Sequence, residues 1–539
     1  MTSKAPDLLV TGTLHTLDPA RPRAEALLAR EGRIVRVGTH LDCRREARPG
    51  ARHLDTGEGC AVPGLADAHG HVLLHARAME ELALGGAPDA AACVRLAAAR
   101  ARHLPAGAWV RGRGWDQHRW PGGAFPERAL LDAAVPEHPV LLERVDGHAA
   151  WVNARALALA GIDAGTADPP GGRVVRDAGG QATGLLVDRA QDLVLACVPH
   201  PGVDEVMRLV AAGLGDLVRR GLTSVHDAGC TSSVMRAYAR LAEADRLPVR
   251  VYAMLDGGQP QGSLGAELAR WGGRPELGLL EARAVKLFAD GALGSRGAAL
   301  LEPYADEPGT RGLFLLSPDE LRRRVRLVAT AGFQPAVHAI GDAACRAVLD
   351  AFEDVARELD LASLRPRVEH FQIVRAEDVP RLGAVGGVAS MQPVHAVSDA
   401  AWVAGKLGEG TAALRGAYPW RQVLAAGVPL AFGSDFPIES PDPRLGLFAA
   451  EARRPAGSRD AWMPQERLTR DEALRAFTEG AAWASFAEGR RGALRPGLDA
   501  DLTLFGADVM EVGVEELPGV PVTATVVAGR VAFEAGTSA

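Results

Sequence analysis

Cysteine is scarce and unpatterned: Cys43, Cys60, Cys93, Cys197, Cys230 and Cys345 are the only six in 539 residues, and no two form a CxxC pair. This excludes a disulfide-stapled fold and a thiolate zinc framework, and it suits a reducing compartment, so a cytoplasmic location is expected. Excess positive charge is also missing. Sixty Lys and Arg are set against 67 Asp and Glu, a net charge of −7, without a basic run; nucleic acid and anionic membrane are therefore poor partners. No uncharged apolar run reaches 18 residues, and the opening "MTSKAPDLLVTGTLHTLD" has no basic segment leading into a long apolar one. Neither a membrane span nor a secretion signal is expected. "GALGSRGAAL" lacks the Gly-Lys-Ser/Thr ending of a phosphate loop, which argues against nucleotide binding.

What remains is a composition of 47% apolar and 24% charged residues with mean hydropathy near zero, that of a globular chain acting on a small molecule. The length exceeds one compact core and predicts two or three domains, one of them a barrel of roughly 250 residues. Both ends carry short β-like runs broken by turns: "DLLVTGTLHTLD" and "EALLAREGRIVRVG" at the start, "DADLTLFG" and "VTATVVAGRVAFEAG" at the finish. They predict a small sheet domain in which the two ends meet.

Between the ends, apolar strand-like runs end in polar clusters and are followed by helical stretches, the pattern of a parallel sheet built from βα units. Eight are found: "GCAVPGLADAHGH" (59–71), "LTSVHDAG" (222–229), "VRVYAML" (249–255), "ARAVKLFADG" (282–291), "FQPAVHAIGD" (333–342), "RVEHFQIV" (367–374), "GGVASMQP" (386–393) and "VPLAFGSD" (428–435). The count is that of a (β/α)8 TIM barrel in the α/β class. The gap of about 150 residues between the first two is far more than a crossover needs and predicts an inserted subdomain. That insert would hold the strands "AWVRGRGWDQ" and "HPVLLERVDGHAAWV" and a loop or hairpin at "DPPGGRVVRDAGGQATG".

In such a barrel the C-terminal strand ends converge on one mouth. Here they carry His69 and His71 on the first strand, Lys286 on the fourth, His338 on the fifth, His370 on the sixth and Asp435 on the eighth. Residues i and i+2 of a strand face the same way, so His-Gly-His can aim both rings at one point, with Gly70 permitting close backbone approach. Imidazoles, a carboxylate and an amine gathered in one bowl are costly to desolvate without partners. A divalent metal, zinc above all, supplies one, and an open coordination position lowers the pKa of bound water to about 7, which suits hydrolysis. Lys286 fits such a site poorly as an ammonium. Either carbon dioxide carboxylates its neutral amine into an anionic bridging ligand, or it points away or pairs with Asp290.

These motifs in this order, together with "VKLFADGALGSR", "SMQPVH", "FGSDFPIES", "RGRGWDQHRW" and "GALRPGLDADLTLF", resemble the amidohydrolase superfamily over nearly the whole chain. More narrowly they resemble its YtcJ-like branch, which includes N-substituted formamide deformylases. The resemblance implies a metal-dependent hydrolase TIM barrel (61–485, insert 76–215) and a β-sandwich made from 1–60 and 486–539. It implies that His69 and His71 bind the more buried metal, that carboxylated Lys286 bridges, that His338 and His370 bind a second ion, and that Asp435 is ligand and general acid/base. The implied reaction is attack of metal-bound hydroxide on the carbonyl of a small amide or formamide; an ester, carbamate or cyclic amide would serve the same site, and a barrel that binds without turnover is the non-enzymatic alternative. Candidate substrate contacts are His148, Trp115, Gln392 and His395, against a plain packing role for each. The expected partner is the small-molecule substrate, with a homodimer allowed. Asp67 reads as a support for the ligands or a strand-end cap, and His226 and Arg296 as structural or bowl-facing.

Overall fold

The computed structural model describes residues 6–145, 147, 149–169, 172–199, 201–272, 276–455 and 457–536. Two compact units are present, one comprising Met1–Leu73 and Val203–Ala539 and the other Leu74–Gly202.

The first unit contains eight parallel strands in sequential order: β1 (Leu65–Gly70), β2 (Leu222–Cys230), β3 (Arg250–Asp256), β4 (Leu280–Phe288), β5 (Gln334–Ala339), β6 (Arg367–His370), β7 (Val388–Met391) and β8 (Leu430–Phe432). β8 returns to β1 through a parallel bridge between Gly70 and Phe436. His71 N–H donates to Phe436 O at 2.8 Å and Asp435 N–H to His69 O at 2.7 Å, so the seam of this nearly closed barrel passes through the residues expected to do chemistry. Gly70 is required there: a Cβ would lie 2.1 Å from the Phe436 ring.

The run expected as the first barrel strand is two strands. Arg52–Pro63 belongs to a different sheet, and β1 starts only after Gly64, where a Cβ would lie 2.3 Å from Thr223 Oγ1. Arg52–Pro63 is the central strand of a seven-stranded sheet ordered Arg530–Glu534, Val522–Val527, Leu502–Phe505, Arg52–Pro63, Leu8–His15, Arg23–Arg30, Arg33–Gly38. Both chain ends thus share one sheet. Register shifts after Thr11 bend it around a core that includes Leu8, Val10, Leu27, Ile34, Leu502 and Val526.

The second unit holds a six-stranded sheet with Val110–Trp115, Val140–Arg144 and Ala149–Val152 side by side, and the Gly/Pro-rich stretch forms the hairpin Gly172–Arg176/Ala182–Asp188. Its limits differ from the expected 76–215. The helix Val203–Arg219 belongs to the barrel unit and buries Val206, Leu209, Val210, Leu214 and Leu217, a 3.6-residue stripe that makes it the crossover helix leading into β2.

Candidate active site

The strand ends gather the expected side chains. His69 is fully buried, and its Nδ1 lies 2.5 Å from Glu369 Oε2. A carboxylate can only accept, so Nδ1 carries the proton and the Nε2 lone pair faces the bowl. His71 is oriented alike: Nδ1 donates to Ala228 O at 2.9 Å, leaving Nε2 3.1 Å from Asp435 Oδ1. The same oxygen is 3.6 Å from His69 Nε2. Three acceptors around one point repel one another unless a proton or a metal cation lies between them, and the donor atoms of His69, His71 and Asp435 all fall within 4.8 Å of one another. Two imidazoles and a carboxylate are an ordinary ligand set for zinc, so the residues present fit the expected metal.

Around this group stand Lys286, His338, His370 and His395. Lys286 Nζ is 3.1 Å from His69 Nε2 and 4.8 Å from the centre of the Phe288 ring; it does not pair with Asp290. Asp290 instead accepts backbone N–H groups from Ala299, Ile340 and Gly341 at 2.8–3.0 Å. The His338 and His370 rings are 4.5 Å apart at 68°, and His370 lies 5.0 Å from His69. His338 Nε2, His370 Nδ1 and His395 Nε2 are buried without a hydrogen-bond partner among the described residues. Such orphaned nitrogens need an explanation, and the capacity to ligate a cation is one.

The backbone bends to make this possible. Arg367 and Glu369 share one face of β6, which would turn His370 the other way. His370 and Phe371 instead take left-handed φ values of 72° and 44°, and Asp435 takes 60°. Non-glycine residues held there cost of order 1–3 kcal/mol each and cluster at functional sites.

Burial sets the electrostatics. It pulls the Lys286 ammonium down to about 8 despite the nearby Glu369 and Asp435 charges. His69 falls to about 4 and His338 to about 3, in both cases through burial first and the Lys286 charge second, so both imidazoles are neutral. Burial would raise the Asp435 carboxyl, but contact with His71 and the imidazoles of His370, His69 and His395 outweigh it and hold the group well below the usual carboxylate range.

Three supporting residues, Arg367, Glu369 and Asp227, escaped the sequence reading. Arg367 binds Glu369 through Nε at 2.7 Å and Nη2 at 3.2 Å, and reaches Ala68 O at 2.7 Å, His226 Nδ1 at 3.0 Å and Ser390 Oγ at 3.0 Å. It ties β1, β2, β6 and β7 together beneath the bowl, which gives His226 a structural place there. Asp67 accepts from Ser434 Oγ at 2.6 Å and from His69 N–H at 3.0 Å, a support across the seam, and burial raises it to about 7. Asp227 anchors the turn after His71 by accepting Val72 N–H at 2.9 Å and Tyr238 O–H at 2.6 Å. An acid one residue before a strand-end histidine was the only trace of Glu369 in the sequence.

The candidate substrate contacts divide. His395, on the helix Pro393–Asp399, stacks on His370 at 6.0 Å and 12°, with Nε2 3.7 Å from Asp435 Oδ2. Gln392 is buried beside it and donates to Ser390 O at 3.2 Å. Trp115 has no exposed surface: it packs in the core of the second unit against Trp120, and its indole N–H donates to Leu142 O at 2.7 Å. His148 lies outside the described residues. Arg296 is on a partly exposed loop, paired with Asp306.

A parallel (β/α)8 barrel whose mouth carries this ligand set defines a metal-dependent hydrolase. The chain belongs to the Amidohydrolase family, whose pattern it matches over residues 54–533. It is 32% identical to the putative amidohydrolase YtcJ of Bacillus subtilis (strain 168), covering 97% of this chain and 98% of that one. It is 29% identical to the N-substituted formamide deformylase of Arthrobacter pascens, over 99% of both chains. In fold it resembles the crystal structure of an uncharacterized metal-dependent hydrolase from Pyrococcus horikoshii OT3, with a TM-score of 0.79 and 25% identity over 94% of this chain and 99% of that one.

Proposed function

We propose that this hydrolase cleaves a C–N bond in a small amide or N-substituted formamide, with zinc as its cation. The observation that carries the reading is the inward convergence of His69 Nε2, His71 Nε2 and Asp435 Oδ1, with unpartnered nitrogens of His338 and His370 beside them. Similarity to an N-substituted formamide deformylase across almost the entire chain supports the choice of bond. When bound, a divalent cation there supplies Lewis acidity toward a carbonyl oxygen and toward water.

The protein's own groups do the rest. Asp435, ionised and at the mouth, is typed and placed to take a proton from water and return it to the leaving nitrogen. Glu369 and Ala228 O hold His69 and His71 in one tautomer each, which keeps the bowl's lone pairs preorganised. Lys286, buried with a pKa near 8 and bonded only to His69 among the described residues, has the neutral fraction that carboxylation by carbon dioxide requires; as a carbamate it would add an anionic oxygen ligand.

Metal analysis together with a panel of N-substituted formamides, larger amides, carbamates and esters tests the reading. One to two equivalents of zinc and turnover of the formamides, lost on chelation and restored by zinc, are expected. Undiminished turnover by metal-stripped protein would overturn the metal reading, and cleavage of esters alone would overturn the C–N assignment.

A further inference from the structure

We propose that His15, Cys60 and Asp508 form a separate metal site, one that takes a thiophilic divalent cation such as zinc or cadmium and shares no residue with the barrel mouth. The donor atoms of these three side chains all lie within 4.8 Å of one another. Among the described residues no other cluster of this kind is independent of the mouth.

The sheet that joins the two chain ends builds the site. Leu8–His15 and Leu502–Phe505 flank the central strand Arg52–Pro63. Thr13 is the register partner of Cys60, and His15, two residues further on, faces the same way, so imidazole and thiol share one side of the sheet. On the other flank Cys60 pairs with Phe505, and Asp508 follows in the next turn. That turn is braced. Asp508 Oδ1 accepts Met510 N–H at 3.0 Å, Asp508 O accepts the N–H groups of Glu511 and Val512 at 3.0 Å each, and the Arg470 guanidinium holds Val509 O and Val512 O. Ligands presented by strands and a fixed turn are preorganised.

His15 Nε2 lies 2.8 Å from Asp508 Oδ1 and, facing a carboxylate, carries a proton there. A cation in place of that proton opens the pair by about half an ångström, since atoms about 2.0–2.2 Å from one tetrahedral ion sit roughly 3.3–3.6 Å apart. Cys60 Sγ is buried and makes a long contact of 3.8 Å to Ala507 O. On binding, an Sγ–metal bond replaces the S–H bond and one proton leaves to solvent, while the imidazole keeps its single proton on Nδ1. The +2 ion, the thiolate and the carboxylate then sum to zero, which a mostly buried site tolerates. The Asp508 side chain is 18% exposed and that of His15 8%, so the ion enters from the Asp508 side. A thiolate makes this site softer than the nitrogen and oxygen ligands of the mouth, which selects thiophilic ions. Displacing a thiol proton and a hydrogen bond costs affinity, so the site fills after the mouth. One thiolate among mixed donors is a different arrangement from the paired-cysteine framework that the spacing excludes.

Metal-depleted, thiol-reduced full-length protein titrated with cobalt(II) tests this, because a sulfur-to-cobalt charge-transfer band in the near ultraviolet reports a thiolate ligand and the mouth ligands include no sulfur. Wild type should develop the band with one equivalent beyond those taken by the mouth. Cys60→Ser should lose the band and that equivalent while keeping the visible cobalt absorption of the mouth. His15→Ala and Asp508→Asn should each shift the midpoint of the band to at least tenfold higher cobalt, with circular dichroism unchanged. Cobalt bound without the band would overturn the assignment and leave the mouth reading intact; no cobalt uptake at all would overturn both. A band that survives in Cys60→Ser would overturn the assignment, and so would wild-type midpoints in both His15→Ala and Asp508→Asn, whether or not Cys60→Ser folds.

Discussion

His71 Nε2 and Asp435 Oδ1 meet at 3.1 Å across the barrel seam, while His71 Nδ1 is already committed to Ala228 O. The pair therefore brings an imidazole nitrogen and a carboxylate oxygen together from strands at opposite ends of the sheet order, an arrangement that a shared proton or a metal cation resolves. Asp435→Ala or His69→Ala should lower zinc content and reduce formamide turnover by more than about 100-fold, since both remove a group from the centre that supplies the Lewis acid. The far-ultraviolet circular dichroism should stay at the wild-type level. Retained zinc with retained turnover in either variant would remove the basis of the site.

Glu369 acts through His69. It is fully buried, ionised and hydrogen-bonded at 2.5 Å to Nδ1. Glu369→Gln should weaken zinc binding by roughly 10–100-fold, the usual effect of losing a carboxylate behind a ligating histidine. Competition with a chromogenic chelator measures this directly, and an unchanged zinc affinity would reduce Glu369 to a packing role.

Lys286 separates carboxylation from a simple amine. If an anionic oxygen is what the site needs from this position, Lys286→Ala should lose most activity and regain part of it with added formate, acetate or propionate. Lys286→Arg, which cannot be carboxylated, should remain inactive with or without them. Failure of every short carboxylate to restore turnover would count against the carbamate and leave the histidine ligands untouched.

Glu472, which takes no part in the ligand cluster, ties acid stability to one ion pair. Arg421 hydrogen bonds and the backbone and hydroxyl of Thr469 outweigh burial and hold its carboxyl at about 2, against the usual value of 4.5. A group whose pKa is depressed on folding stabilises the protein above its unfolded value and loses that contribution as pH falls through the folded value. Wild type should therefore melt above Glu472→Gln at pH 5 and higher, with the gap closing between about 4.5 and 2. Melting curves of the two proteins at stepped pH decide it; a gap that stays constant with pH would mean that the carboxylate charge contributes nothing.

Local patterns were enough to read most of the architecture from the chain alone. Apolar runs ending in polar clusters marked the barrel strands, and the i, i+2 spacing of His69 and His71 put both rings on one side, because alternation along a strand is a property of a few neighbouring residues. The close approach at Gly70 followed from the absence of a side chain. Other features depended on partners brought from far along the chain. Glu369 sits behind His69 because β1 and β6 share one barrel interior. His370 reaches the bowl through a left-handed turn that strand periodicity does not contain. Trp115, which reads as a pocket residue beside Asp116 and Gln117, is drawn into a core by Trp120 and Leu142. Strand closure and core packing are decided by through-space contacts between segments whose order in the chain says nothing about their distance. The sequence alone thus determined which side chains stand at the strand ends, and only the tertiary structure decided which atoms face one another.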